Sequence, residues 1–133
     1  MKYIVCLLSL TVSLNAYSGE NYTCVITGAF QIDQDGRQVT TKLKDFVGDS
    51  FSVNRKTGVM SGALINSFAS GPTVVSPGSK DSPFRAVNSM INPVTTATNF
   101  NTLVIQEFVS GNNKPFIFLD DGVDIFYGKC VHQ

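Results

Sequence analysis

The chain has 133 residues, with ten basic and ten acidic side chains, one histidine, three cysteines and no tryptophan. That length is one domain's worth of chain, and balanced charge with no block of either sign argues against binding nucleic acid or anionic membranes through bulk charge. The lone histidine, His132, sits one residue from the C-terminus, which removes most of the usual catalytic and metal-binding sets.

Residues 1–18 read as a secretory signal peptide: Lys2 supplies a short positive start, followed by an apolar stretch of about a dozen residues, too short for a bilayer span. Small residues at −1 and −3, Ser18 and Ala16, favour cleavage after Ser18; a cut after Ala16 puts Leu14 at −3. The expected mature protein is a single β domain, 19–133, exported to the periplasm or secreted. No later run approaches the roughly 20 apolar residues of a spanning helix, so no membrane span is expected.

Cys6 leaves with the leader, and Cys24 and Cys130 remain near the two ends of the mature chain. An exported protein with two cysteines most often pairs them. A disulfide holds its Cα atoms within about 7 Å, so the first and last strands are expected to be neighbours in one sheet or to face each other across two. The Asn21-Tyr22-Thr23 triplet matches a glycosylation acceptor, which matters only in a eukaryotic secretory pathway; the short leader with one Lys reads as bacterial.

From Tyr22 onward the pattern is strand, turn, strand. Residues 22–27 open the series. Residues 29–32 and 38–43 flank an Asp33-Gln34-Asp35-Gly36 turn, and residues 51–55 and 59–65 flank Lys56-Thr57-Gly58, the strongest hairpin signal. Gly62 inside a strand suggests a bulge or a close backbone approach. Residues 72–76 read as a short edge strand with its prolines at the ends. At 83–91 two readings stand level: Ser82-Pro83 resembles a helix start with Phe84, Val87 and Ile91 on one face, while Phe84, Ala86, Asn88 and Met90 alternate as a strand. Residues 93–101 are polar and Thr-rich and read as a long loop. Strands at 102–109, 115–119 and 124–130 then form a meander. The expected fold is mainly β: a small antiparallel β-barrel or a two-sheet β-sandwich of about eight strands, with or without one short helix near 83–91.

Asp33-x-Asp35-Gly36 is similar to the start of a calcium loop, but the position that needs a distal Glu is Lys44, so an acidic hairpin turn is the better account. Asp120, Asp121 and Asp124 read the same way. Glu107 is placed outward on strand 102–109 with no identifiable partner, and His132 lies on a tail with nothing to hold its ring; no catalytic residue, metal site or cofactor is expected. Most of the ten phenylalanines are assigned to the core. Phe46, Phe68 and Phe100 fall in loops, where they cap the ends of a barrel or form an exposed apolar patch.

This layout resembles that of small exported bacterial β-barrel proteins, among them the periplasmic inhibitors of lysozyme. Ser61-Gly62-Ala63 is similar to a short serine-glycine element of such inhibitors. The resemblance is one of layout, implies binding to a partner enzyme through a loop, and carries over no functional residue. The expected function is that of an exported, non-enzymatic module that engages another exported or cell-envelope protein through its loops. Candidate contacts are Arg55, Lys56 and Thr57 at the hairpin tip, Phe68, and the 95–101 segment with Thr95 and Phe100. Inhibition of a cell-wall hydrolase is one concrete form; a small apolar ligand in a phenylalanine-lined lumen is the alternative. A hydrolase pairing Glu107 with Asp120 or Asp124 is the least favoured reading.

Overall fold

The computed structural model describes residues 21–68 and 70–133; the expected signal peptide and its cleavage site lie outside them. The strands are β1 (Asn21–Ile32), β2 (Gln38–Val39), β3 (Ser50–Asn54), β4 (Met60–Gly62), β5 (Thr73–Ser79), β6 (Ser82–Ile91), β7 (Thr98–Ile105), β8 (Lys114–Asp120) and β9 (Asp124–His132). They form one antiparallel sheet in the order β4-β3-β1-β9-β8-β7-β6-β5, with β2 paired to β1. The sheet curls into a half-barrel, and the described residues add a single 3₁₀ turn at Lys44–Phe46.

Period-two alternation explains which face turns inward. Tyr22, Cys24 and Ile26 of β1, Phe84 and Ala86 of β6, Leu103 and Ile105 of β7, Phe116 and Phe118 of β8, and Phe126 and Cys130 of β9 are all buried. Their rings pack in tilted and edge-on pairs, with centroids 5.1 Å apart for Phe51–Phe116 and 6.2 Å for Phe118–Phe126. Phe46 caps the core from the 3₁₀ turn, edge-on to Phe126 at 5.2 Å. Cys24 and Cys130 are direct cross-strand partners of β1 and β9 and are joined by a disulfide, so the first and last strands are neighbours in one sheet.

The structure settles the two readings of 83–91 and moves several boundaries: the strands expected at 38–43 and 59–65 shorten to β2 and β4. Residues 83–91 lie within strand β6, not a helix, because β7 pairs with them from Phe84 to Ile91 and β5 adds a second ladder as far as Val87. Pro77, inside β5, is tolerated because β5 ends the strand path and needs pairing on one edge only. The two short strands expected at 22–27 and 29–32 are one strand with a bulge between Ile26 and Gly28. Finally, the loop expected at 93–101 gives its last four residues to β7, which begins at Thr98 and ends early, at Ile105.

Among the described residues no backbone ladder joins β4 to β5, the two ends of the sheet. The gap is bridged by side chains. Asn66, 1% exposed, accepts from the Met60 N–H at 2.8 Å and donates to the Gly58 carbonyl at 2.8 Å, while Asn88 of β6 donates to its backbone carbonyl. Gly58 lies against β5 and β6, where a β-carbon would stand 2.9 Å from that of Ala86 and 3.2 Å from Val74.

Candidate functional site

Two features stand out, at opposite ends of the sheet. The first is the β6–β7 hairpin. Its ladder runs from Asn88↔Asn101 to Ile91↔Thr98, but β5 begins only opposite Val87, and β8 ends opposite Asn101. Residues 89–100 therefore outrun both neighbours and project as an arm, rooted on the buried pair Asn88 and Asn101. Its turn is well built: the Asn92 side chain accepts from the N–H groups of Val94 (2.9 Å) and Thr95 (3.1 Å), and its backbone bonds to Thr96 and Ala97. Every residue from 91 to 100 is exposed, with Ile91 at 67%, Val94 at 88% and Phe100 at 51%. No charged side chain occurs between Asn88 and Asn101.

The second feature is a clasp around Glu107. Past Ile105 the chain turns: the Gln106 N–H bonds to the Pro115 carbonyl, and the Glu107 N–H to the Ile105 carbonyl. The Glu107 side chain is 11% exposed, on the inward face that period two shares with Leu103 and Ile105, and not at the outward position expected from sequence. Tyr22 Oη donates to Oε2 at 2.7 Å, His132 Nε2 lies 2.7 Å from Oε1, and Arg55 Nη2 stands 4.0 Å from the same oxygen. An ionised carboxylate only accepts, so the hydrogen bond places a proton on His132 Nε2. The guanidinium of Arg55 also donates to the carbonyls of Pro77 (3.2 Å) and Gly78 (3.3 Å) and stacks 5.7 Å from the Tyr22 ring centroid. Lys114 Nζ donates to the backbone carbonyls of Glu107 (3.0 Å) and Val109.

Burial opposes ionisation of Glu107, but the hydrogen bonds from Tyr22 and His132 and the attraction of His132 and Arg55 outweigh it and hold the carboxyl below its ordinary range. Burial, reinforced by the bond to Glu107, pushes the Tyr22 phenol far above its own. His132 is thus the last residue of β9, held at 4.8 Å from the Tyr22 ring, and not a loose tail. A ring nitrogen must face a substrate to act as acid or base. Here Nε2 is occupied by Glu107, and Nδ1 is buried without a hydrogen-bond partner. The geometry ties together chain segments from β1, β9 and the β3–β4 turn. Beside it lies an open cavity of about 530 Å³ lined by Glu107, Gly111, Asn112, Lys114, Val131 and His132.

Of the residues singled out in the sequence, Thr95 and Phe100 lie on the arm, and Lys56 and Thr57 are exposed at the β3–β4 turn. Arg55 faces the clasp, and Phe68 is half-buried in the segment beside the gap. The two contact regions do not merge: Arg55 reaches Pro77, which pairs with Phe84, and the arm begins to turn at Ile91, roughly 23 Å farther along β6. Nor does Glu107 meet Asp120 or Asp124. Lys114 and Asp120 mark opposite ends of β8, about 20 Å apart, against the roughly 5–9.5 Å between carboxyls that glycoside hydrolysis requires.

The acidic β8–β9 turn forms part of the arm's end of the sheet. Burial, with the charges of Asp124 and Asp121, raises the Asp120 carboxyl above its ordinary value. A raised carboxyl pKa means that the fold disfavours the charge at neutral pH and gains stability as pH falls through that value. Asp120→Asn is accordingly expected to raise Tm at pH 7 by about 2 °C, the small size reflecting solvent screening, and to do so no longer at pH 3; thermal melts at both values check this. Asp33 Oδ1 accepts from the N–H groups of Asp35 and Arg37, the acidic turn expected from sequence. Among the described residues no three His, Cys, Asp or Glu side chains are grouped to hold a metal ion, and no helix is long and apolar enough to cross a membrane. Comparison with protein-family models, curated proteins and solved structures returns no match to this chain.

Proposed function

We propose that the protein is an exported binding module, without enzymatic activity, that grips another exported or cell-envelope protein with the β6–β7 arm. One observation carries the reading: a hydrogen-bonded hairpin that outruns its sheet neighbours exposes Ile91, Val94 and Phe100 and has no charge along its length. Burying such side chains contributes roughly 1.5–3 kcal/mol each before ordering costs, and a turn already fixed by Asn92 keeps those costs low. The Cys24–Cys130 bridge is compatible with an oxidising, exported compartment. Insertion of the arm into the cleft of a cell-wall hydrolase is the specific form that the layout suggests. A ligand-filled lumen has less behind it, since the inward phenylalanines pack against one another.

A photo-crosslinking residue at position 94 is expected to trap one discrete protein from the exported fraction, while the same residue at Tyr127, exposed on the outer face of β9, traps none. Val94→Asp with Phe100→Asp should abolish capture by a wild-type bait in competition without changing Tm, because both side chains are exposed. Equal yields from positions 94 and 127, or undiminished competition by the double variant, would remove the arm from the reading.

A further inference from the structure

We infer that Glu107 is the key of an acid-sensitive clasp that holds the two ends of the sheet together, and that breaking it opens the seam between the β3–β4 hairpin and β5 while the rest of the sheet stays folded.

The geometry supports this in three steps. First, the seam is the one place along the strand path where, among the described residues, neighbouring ends lack a backbone ladder. It is held near the clasp by Arg55, which leaves the β3–β4 turn to reach the Pro77 and Gly78 carbonyls of β5, and farther in by Asn66. Second, Glu107 sets where Arg55 lies. Its carboxylate stands 4.0 Å from Nη2, and the Tyr22 ring that receives the guanidinium is itself tied to Glu107 by a 2.7 Å hydrogen bond. Glu107 also lies close to β5, its Cβ 3.1 Å from where a β-carbon on Gly78 would stand. Third, the other strands the carboxylate touches have independent support. β1 and β9 share a long ladder and the disulfide, and β6 to β9 are each paired in sequence. Loss of the carboxylate charge therefore weakens the seam before it weakens anything else.

The groups facing Glu107 are Tyr22 from β1, His132 from β9 and Arg55 from the β3–β4 turn, with Lys114 of β8 bonded to its backbone carbonyl. The carboxyl is held below its ordinary value of 4.5, so the clasp is fully made above that pH and is lost as pH falls through the lowered value. Loss of the clasp therefore lies on the acid side of that ordinary value.

Hydrogen exchange on the oxidised protein tests the inference. Glu107→Gln at pH 7 removes the charge and keeps the shape. The amides of residues 54–66 are expected to exchange at least tenfold faster than in the wild type, with the β8–β9 ladder changed less than threefold. Wild-type protein carried stepwise from pH 7 down to pH 2 should come to show the same regional pattern after correction for intrinsic exchange, together with saturable binding of a hydrophobic fluorescent probe while far-ultraviolet dichroism persists. Arg55→Lys, which keeps the charge but loses the forked reach to two carbonyls, should reproduce part of the effect at pH 7. Uniform acceleration across all strands in Glu107→Gln would make Glu107 a general support and overturn the seam; unchanged exchange at 54–66 would overturn the clasp altogether.

Discussion

Replacing Cys24 and Cys130 together with alanine is expected to lower Tm by about 15 °C while leaving the β-sheet dichroism at 20 °C intact. The bridge joins positions 106 residues apart, and the chain-entropy model assigns a loop of that size at most about 4.7 kcal/mol. Native-state losses add little, because the cysteines are direct partners in a ladder that runs from Tyr22↔His132 to Gln31↔Asp124 and persists without them. A loss near 4 kcal/mol in a domain of this length corresponds to about 15 °C. Both sulfurs belong to residues with 0% exposure, so a reductant reaches the bridge only through opened molecules, and wild-type protein should lose it at the rate of opening. A shift below about 4 °C in calorimetric melts would mean that the unfolded chain gains no useful constraint from the link.

Gly128→Ala is expected to cost about 3 kcal/mol or more in urea unfolding, whereas Gly28→Ala one strand away costs about 1 kcal/mol. Both positions lie at the bulge of β1 against β9, and neither needs a left-handed backbone. A β-carbon on Gly128 would stand 2.0 Å from the Val25 carbonyl oxygen, 2.9 Å from the Phe116 ring and 3.0 Å from the Thr27 nitrogen. Two of these are backbone atoms of the bulged strand, and the third is a buried ring, so relief requires unpairing β1 from β9. At Gly28 the obstruction is the end of the Tyr127 side chain, at 2.1 Å, and that residue is 44% exposed and free to swing into solvent. Equal costs at the two sites would show that the bulge tolerates displacement.

Other expectations pull in different directions and keep the two ends of the sheet separable. Asp120→Asn acts near the arm and stabilises; Glu107→Gln acts at the clasp and loosens one seam. The arm variants change binding and leave stability alone. A partner that engages the arm and an acid-driven opening of the seam are therefore distinct properties, since the clasp lies roughly 23 Å along β6 from the start of the arm's turn.

Glu107 and His132 illustrate what one sequence can and cannot reveal. With apolar residues on both faces of 102–109, alternation does not say which face is inward, and an acid is placed outward by default. The structure turns Leu103 and Ile105 inward, and Glu107, two residues on, shares their face because Tyr22, His132 and Arg55 are there to meet its charge. His132 was discounted because termini are usually loose. Its ring is held by Tyr22 and Glu107, residues 110 and 25 positions away by number, a meeting that no local spacing announces. One signal was available: Glu107 before Phe108-Val109 and His132 after Val131 stand beside apolar residues, and an ionisable group that is buried there needs a partner.

The sequence alone determined the mainly β class, the inward phenylalanine set, the acidic turns, the Cys24–Cys130 pairing and the adjacency of the end strands that follows from it. These are local or covalent matters: side-chain period, turn chemistry and the short reach of a disulfide. Tertiary structure decided that residues 83–91 are a strand, that 89–100 form a projecting arm, and that the sheet remains a half-barrel whose ends are joined by Arg55, Glu107 and Asn66. Each of those outcomes depends on which strand ends first beside its neighbour, and strand length in a sheet is set by the partners across the ladder, not by the propensity of the residues themselves.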